Sequence, residues 1–266
     1  MLGIITRCGP THPLMTKLMM PIDQNSVLFL ILVFVGAVVQ SLTGFAMALI
    51  ILGGVAALGL AGISETAAVV SILSLFNAAL ALRYNFRLID YRLLKTMSIG
   101  MVPAVFAGLL ILEYMSTTLN DLLRMSLGVM IIAAGILLFL KPKPYPTISR
   151  SATQGLIGAL GGVMAGTYGA GGAPLAYLLY RQPLDFNHVR ATLLALFAIS
   201  TLARTILVGA GGGLSSSVLG LTLLCLPVVL IATLLSVKLG RYLPDTALRK
   251  FTFLLLMLVG AFLVVK

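Results

Sequence analysis

Two short clusters of glycine and polar residues interrupt stretches of the chain that are otherwise apolar. The first cluster covers residues 40–45 with the sequence QSLTGF, and the second covers residues 166–174 with the sequence GTYGAGGAP. Glycine permits backbone conformations that other residues resist, and proline fits the first turn of a helix. We therefore expect each cluster to break a helix near Gly44 and Gly169, with a new helix starting near Gly172.

Such breaks have the chemistry of an anion-binding site. A helix that restarts presents free N–H groups and the positive end of its dipole, which favour an anion, and hydroxyl or amide side chains add donors. The candidate binding residues are Gln40, Ser41, Thr43, Gly44, Thr167, Tyr168, Gly169, Gly171 and Gly172. The alternative is that these glycines only let helices pack closely. Two clusters at matching positions of a repeat favour the binding interpretation.

Arg204 and Thr192 complete the candidate site. Arg204 lies inside the apolar segment 189–208, and an ionisable residue within a membrane segment is a functional candidate by default. The alternative is that its side chain extends to the nearby interface. Thr192 lies one turn into the same segment. We expect Asn77 and Ser71 to make contacts between helices.

The composition shows what kind of elements must position these residues. Of the 266 residues, 60% are hydrophobic and only 9% are charged, whereas a soluble domain carries about 25% charged residues. No charged residue occurs in 24–64, 151–180 or 205–237, and about 20 apolar residues span a bilayer as a helix. A membrane β-barrel would alternate polar and apolar residues, which these runs do not. The sequence predicts an all-α polytopic membrane protein.

The chain reads as two copies of one unit. A shift of 125 residues places Gly44 on Gly169, Arg124 on Arg249 and Lys141 on Lys266. We expect an N-terminal tail at 1–25, a first repeat at 26–141 and a second repeat at 151–266. Each repeat begins with a glycine-broken helical hairpin (26–60 and 151–180). Three simple transmembrane helices follow: 65–82, 96–113 and 122–140 in the first repeat, and 189–208, 218–237 and 247–265 in the second.

The charges of the connections predict that the two repeats are inverted. Basic residues dominate the connections 83–95, 141–150 and 238–250, while 114–121 has no basic residue and 209–217 has no charge. Cytoplasmic loops carry the excess of Lys and Arg. Equivalent connections therefore lie on opposite sides of the membrane, which is typical of an inverted-topology repeat. The excess of 18 basic over 7 acidic residues then reflects orientation, and we expect no nucleic-acid partner.

The sequence contains few of the residues that metal binding, catalysis or proton transfer requires. The chain has two cysteines and two histidines, and its seven acids all lie at or beyond the ends of the apolar segments. We therefore expect no metal site, no cofactor and no catalytic residue, and no carboxylate at membrane depth that would carry a proton. A membrane-embedded enzyme would need acid–base or metal groups clustered together.

The glycine clusters also carry a resemblance to a known family. The pattern consists of Gly36, Gln40, Gly44 and Phe45, then Gly161, Gly166, Gly169 and Pro174, then Arg190, Ala191 and Thr192. It resembles the sulfite exporter TauE/SafE family over residues 26–266. The sequence departs from a perfect duplication at Ala46 and Met47, which stand where the second copy has Gly171 and Gly172.

The resemblance implies a multi-pass permease of the bacterial inner membrane that moves sulfite, sulfonates or related small organic anions, with export favoured. Its partners would then be the small anionic substrate and the lipid bilayer, and a homo-oligomer remains open. An anion channel is the first alternative function, because it would use the same helix breaks. The membrane-embedded enzyme is the second.

Overall fold

The fold is a bundle of α-helices in a computed structural model that describes residues 24–83, 85–139 and 145–239, together with 254 and 258. No strand occurs within these ranges. The helices are α1 (Gln24–Thr43), α2 (Met47–Leu58), α3 (Ile63–Leu82), α4 (Tyr91–Thr118), α5 (Asn120–Phe139), α6 (Ser151–Tyr168), α7 (Gly172–Tyr180), α8 (Phe186–Ala210) and α9 (Ser216–Leu239), with a short 3₁₀ turn at Phe86–Leu88.

Length and hydropathy identify five membrane-crossing candidates in the described part of the chain, namely α1, α3, α4, α8 and α9. The prediction of an all-helical polytopic membrane protein is confirmed. The predicted helix at 247–265 and the N-terminal tail lie almost entirely outside the described residues. The inverted relation of the two repeats stays a prediction.

Both predicted breaks occur where the glycines stand. α1 ends at Thr43 and α2 begins at Met47, while α6 ends at Tyr168 and α7 begins at Gly172. Gly44 has φ +90° and Gly169 has φ +67°, in the left-handed region that glycine enters without a steric penalty. Ala46 shares this conformation with φ +85°, although its methyl group makes the left-handed region costly.

Several helices extend beyond the apolar segments that predicted them. The predicted helix 96–113 corresponds to α4, which begins five residues earlier, at Tyr91. The reason is a cap: the Asp90 carboxylate accepts hydrogen bonds from the backbone N–H groups of Arg92 and Leu93, each at 3.0 Å. A carboxylate at this position satisfies N–H groups that have no partner within the helix, so a polar first turn is stable.

Glycines hold α4 and α6 in parallel and very close together. A Cβ atom added to Gly158 would collide with the carbonyl oxygen of Met97, one added to Gly162 with that of Met101, and one added to Gly166 with that of Val105. Residue numbers rise together along both helices, which shows that the two run in the same direction. Small residues permit such backbone contact between membrane helices.

The centre of the bundle is formed by α3 and α8, which pack against each other. α3 also contacts α9, and α8 also contacts α4. On the outside, α6 packs on α4 and α1 packs on α9. The two glycine breaks are thereby enclosed between α3 and α8 and the helix that follows each of them.

Candidate anion site at the two helix breaks

The two breaks meet in the interior of the bundle. A Cβ atom on Gly172, the first residue of α7, would lie 2.7 Å from the Cβ atom of Phe45 in the first break and 2.5 Å from Cζ of Phe197 on α8. Gly44 backs onto α8 as well, since its Cβ atom would lie 3.2 Å from the carbonyl oxygen of Arg190. The fold therefore brings the two predicted clusters together, with α8 as their common wall.

Arg204 is a fully buried cation at the second break. Only 1% of its surface is exposed. Its Nε donates to the carbonyl oxygen of Gly166 at 2.9 Å, and its Nη1 donates to the carbonyl oxygen of Ala67 at 2.6 Å and to Oγ of Ser71 at 2.6 Å. The guanidinium thus faces the interior and does not extend to the interface. It ties the last turn of α6 to α3.

Among the described residues no carboxylate accepts a hydrogen bond from this guanidinium, whose three acceptors are all uncharged oxygens. Arg204 has five N–H donors, and three of them serve the bonds to Gly166, Ala67 and Ser71. Nη2 donates no hydrogen bond within the described chain. The charge is therefore held only by neutral oxygens and retains donors for an anion.

A second polar cluster lies at the first break, where the amide of Asn77 joins three helices. Its Nδ2 lies 3.1 Å from the carbonyl oxygen of Ala37, 2.9 Å from Oγ of Ser41 and 2.8 Å from Oγ1 of Thr233. The predicted role of Asn77 as a contact between helices is what the geometry shows. Its Oδ1 is buried without a hydrogen-bond partner.

Gln40 extends this cluster by pairing with α3. Its Nε2 donates to the carbonyl oxygen of Ser74 at 3.2 Å, and the Ser74 hydroxyl donates to its Oε1 at 3.4 Å. Gln40, Ser74, Ser41 and Asn77 are all buried. Amide and hydroxyl groups therefore line the interior beside the first break, as the positions of Gln40 and Ser41 predicted.

The predicted hydroxyl donors at the breaks bond to protein carbonyls in this structure. Thr43 donates to the carbonyl oxygens of Val39 and Phe45 at 2.8 and 3.0 Å. Thr167 bonds to the carbonyl oxygen of Gly108 on α4 at 3.0 Å. An anion would have to compete with these carbonyls for the same hydroxyl protons.

Tyr168 and Thr192 point away from the meeting point of the breaks. The Tyr168 hydroxyl lies 2.6 Å from Oγ of Ser126 on α5. The Thr192 hydroxyl donates to the carbonyl oxygen of His188 at 2.8 Å and accepts from the backbone N–H of Asp90 at 3.0 Å. Thr192 thereby links α8 to the start of α4, and its hydroxyl proton is already donated to the His188 carbonyl.

The glycines of the second break have different neighbours. A Cβ atom on Gly171 would collide with the carbonyl oxygen of Gly161 on α6, so close packing of α6 against α7 is enough to explain this glycine. A Cβ atom on Gly169 would meet Oγ of Ser71 at 3.5 Å, beside the Arg204 guanidinium. Gly169 therefore lies beside Ser71, one of the groups that the Arg204 guanidinium binds.

Sequence reasoning assigned Ser71 only to helix packing, and it gave no role to the backbone of Ala67. The structure brings both to the guanidinium of Arg204. The spacing of four residues between them on α3 is the signal that places both on one helix face. Their approach to α8 depends on tertiary packing, which a single sequence does not report.

The arrangement suits reversible anion binding better than bond-breaking chemistry. Within the described residues no three His, Cys, Asp or Glu side chains come close enough to hold a metal ion. The interior offers one cation, several amides and hydroxyls, and two interrupted helices. These groups can hold an anion by hydrogen bonds and charge, without a base or a nucleophile.

Comparison with known proteins identifies a family and a curated relative. The family described as "Sulfite exporter TauE/SafE" matches residues 28–263. A curated protein of Cupriavidus necator, the "Probable sulfite/organosulfonate exporter TauE", is 35% identical over 226 residues, which cover 85% of this chain and 88% of that protein. No solved structure matches the chain.

Proposed function

Because the chain belongs to the sulfite exporter TauE/SafE family, we propose that this multi-pass membrane transporter carries sulfite, sulfonates and related small anions outward across the bacterial inner membrane. The observation that carries the proposal is the buried guanidinium of Arg204, which has no acidic partner and lies at a helix break. An uncompensated charge within a membrane protein is costly, and an anionic substrate would neutralise it.

The substrate would bind between the second break and α3. The two N–H groups of Arg204 Nη2 would donate to sulfite or sulfonate oxygens, because charge-assisted hydrogen bonds are the stronger kind. Free N–H groups at the start of α7 would add to them. Gly169 supports this position, since a larger residue there would occupy the space beside Ser71.

The exported anion would move by alternating exposure of one central site. Gly108 and Thr233 are separated by 125 positions, and so are Ser41 and Gly166. Gly166 packs against Gly108, and Ser41 and Thr233 bind the same Asn77 amide. These equivalent contacts support an inverted repeat in which the two broken hairpins face opposite sides of the membrane.

An anion channel is the alternative, and the enclosed centre favours a carrier. Gln40, Ser41, Thr43, Thr167 and Arg204 are each at most 3% exposed. A channel needs a continuous path when it is open, whereas a carrier passes through states in which the site is closed to both sides. The buried breaks correspond to such a closed state.

The test is counterflow in proteoliposomes. Vesicles loaded with unlabelled sulfite should take up labelled sulfite faster than empty vesicles, with saturation, and sulfoacetate and taurine should compete where acetate does not. Unsaturable flux without stimulation by internal sulfite would indicate a channel. Equal uptake by protein-free vesicles would refute transport of this substrate class.

A further inference from the structure

A cleft on the outside of the bundle, between α4 and α8, has the features of a lipid-binding site. Its volume is about 460 Å³. It is lined by Tyr91, Leu94, Lys95, Ser98 and Ile99 of α4 and by Ile199 of α8. The residues of α4 recur every three or four positions, which places them on one helix face.

The cleft opens toward the bilayer and is apolar inside. Ile99 is 68% exposed and Tyr91 is 63% exposed, although both belong to a helix that is long and apolar enough to cross the membrane. Tyrosine is enriched where a helix leaves the hydrocarbon region. Leu94, Ile99 and Ile199 therefore present a surface for an acyl chain, just below the level of an aromatic ring at the interface.

A polar atom with no partner lies in the same cleft. The Ser98 hydroxyl is buried and makes no hydrogen bond within the described residues. Its neighbour Thr96 behaves as expected for a membrane helix and donates to the carbonyl oxygen of Arg92 at 2.9 Å. A buried hydroxyl without a partner costs free energy, and an ester or phosphate oxygen of a lipid would accept from it.

The charge around the cleft decides which lipid fits. Lys95 lines the cleft, and Arg83, Arg87 and Arg92 are exposed nearby along the chain. The acid of this region, Asp90, uses its carboxylate to cap α4. The Lys95 ammonium beside an apolar groove complements an anionic headgroup above an acyl chain.

We propose that this cleft binds one anionic phospholipid, such as phosphatidylglycerol. The phosphate lies at Lys95, an ester oxygen of the same lipid accepts from the Ser98 hydroxyl about one turn deeper, and one acyl chain lies along Leu94, Ile99 and Ile199. A lipid bound here contacts both α4 and α8, so it bridges the glycine-packed pair α4–α6 and the helix that carries Arg204.

The test is native mass spectrometry of the purified full chain with added phosphatidylglycerol or phosphatidylcholine. The wild type should retain phosphatidylglycerol in preference to phosphatidylcholine. Lys95→Ala should weaken binding about fivefold, because a basic residue near an anionic lipid contributes about 1 kcal/mol. Lys238→Ala is the matched control, since Lys238 is an exposed basic residue in the last turn of α9, and it should bind as the wild type does.

Filling the groove separates lipid binding from charge alone. Ile199→Trp should reduce phosphatidylglycerol retention, whereas Leu223→Trp on the 70% exposed position of α9 should not. Equal retention of both lipids by the wild type, or unchanged retention in Lys95→Ala and Ile199→Trp, would overturn the proposal. A shift from oligomer to monomer in Ile199→Trp with unchanged lipid binding would assign the cleft to a second copy of the chain and also overturn it. Each result is independent of sulfite transport.

Discussion

At the scale of single residues, the buried charge of Arg204 does two things at once. Its Nε group binds the carbonyl oxygen of Gly166 in the last turn of α6, where carbonyls lack partners within the helix, and its Nη1 group binds the carbonyl oxygen of Ala67 on α3. In the proposed mechanism its Nη2 group binds the substrate. Structural and binding roles would then share one side chain, and an experiment must separate them.

Replacing Arg204 tests the role of the charge. Arg204→Gln should reduce sulfite transport at least about tenfold, because a hydrogen bond to a charged group contributes roughly 1.5–3 kcal/mol. Arg204→Lys should recover part of the loss, with a raised KM, because it restores the charge without the full set of bonds. The measurement is initial sulfite flux in proteoliposomes.

Ser71→Ala is the matched control for this series. It removes one bond from the Arg204 guanidinium and leaves the charge in place, so transport should persist while thermal stability falls slightly. Equal transport by Arg204→Gln and the wild type would remove Arg204 from the site. Equal loss in Arg204→Lys and Arg204→Gln would assign it a structural role alone.

Asn77 is predicted to act mainly through stability. Asn77→Leu removes the contacts to Ala37, Ser41 and Thr233, and hydrogen bonds between membrane helices contribute on average about 0.6 kcal/mol each. The free energy of unfolding should fall by about 1–2 kcal/mol, as measured by denaturation in detergent. Asn85→Leu loses a single 3.4 Å bond and should change little; an equal loss in both variants would contradict the account.

At the scale of elements, the helix breaks were predictable and the packing between helices was not. Gly44 and Gly169 indicate breaks because glycine enters the left-handed region without a steric penalty. Pro174 indicates a helix start because proline fits the first turn. The polar first turn of α4 was missed because hydropathy does not detect the cap made by Asp90. The close approach of α4 and α6 requires glycines on one helix to meet backbone on the other, which one sequence cannot reveal.

Two glycines on α6 provide a direct test of that approach. Gly158→Ala should destabilise the protein by roughly 1–3 kcal/mol, because the added methyl group collides with the Met97 carbonyl and overpacks the interface. Gly155→Ala, three residues earlier, meets nothing within 4 Å and should be neutral or stabilising by up to about 1 kcal/mol. Thermal unfolding in detergent measures both, and similar stability of the two variants would argue against close packing of α4 on α6.

At the scale of the whole molecule, the sequence predicted the fold class and the two broken hairpins, but not that the breaks meet in the interior. Gln40, Ser41 and Arg204 lie in the interior as expected, whereas the hydroxyls of Tyr168 and Thr192 bond elsewhere. Periodicity and glycine content identify a break. They do not show which way a neighbouring side chain turns, because that depends on the helices packed around it.

The predicted inversion of the two repeats can be tested by cysteine labelling. In a variant without Cys8 and Cys225, single cysteines at Leu119 and Ser216 should react with an impermeant reagent from outside intact cells. A cysteine at Arg87 should react only after the membrane is opened. Reaction of the positions 216 and 87 from the same side would contradict the inversion of the two repeats.

Voltage-dependent sulfite efflux tests the central claim most directly. An anion leaving a compartment that is negative inside moves with the potential, at about 2.3 kcal/mol per charge per 100 mV, and the acceptors that Arg204 binds are uncharged oxygens that carry no proton with the substrate. The measurement is release of labelled sulfite from proteoliposomes at clamped potential without a pH gradient. The account predicts saturable efflux that accelerates as the inside becomes more negative. Efflux indistinguishable from that of protein-free vesicles at every potential would contradict it.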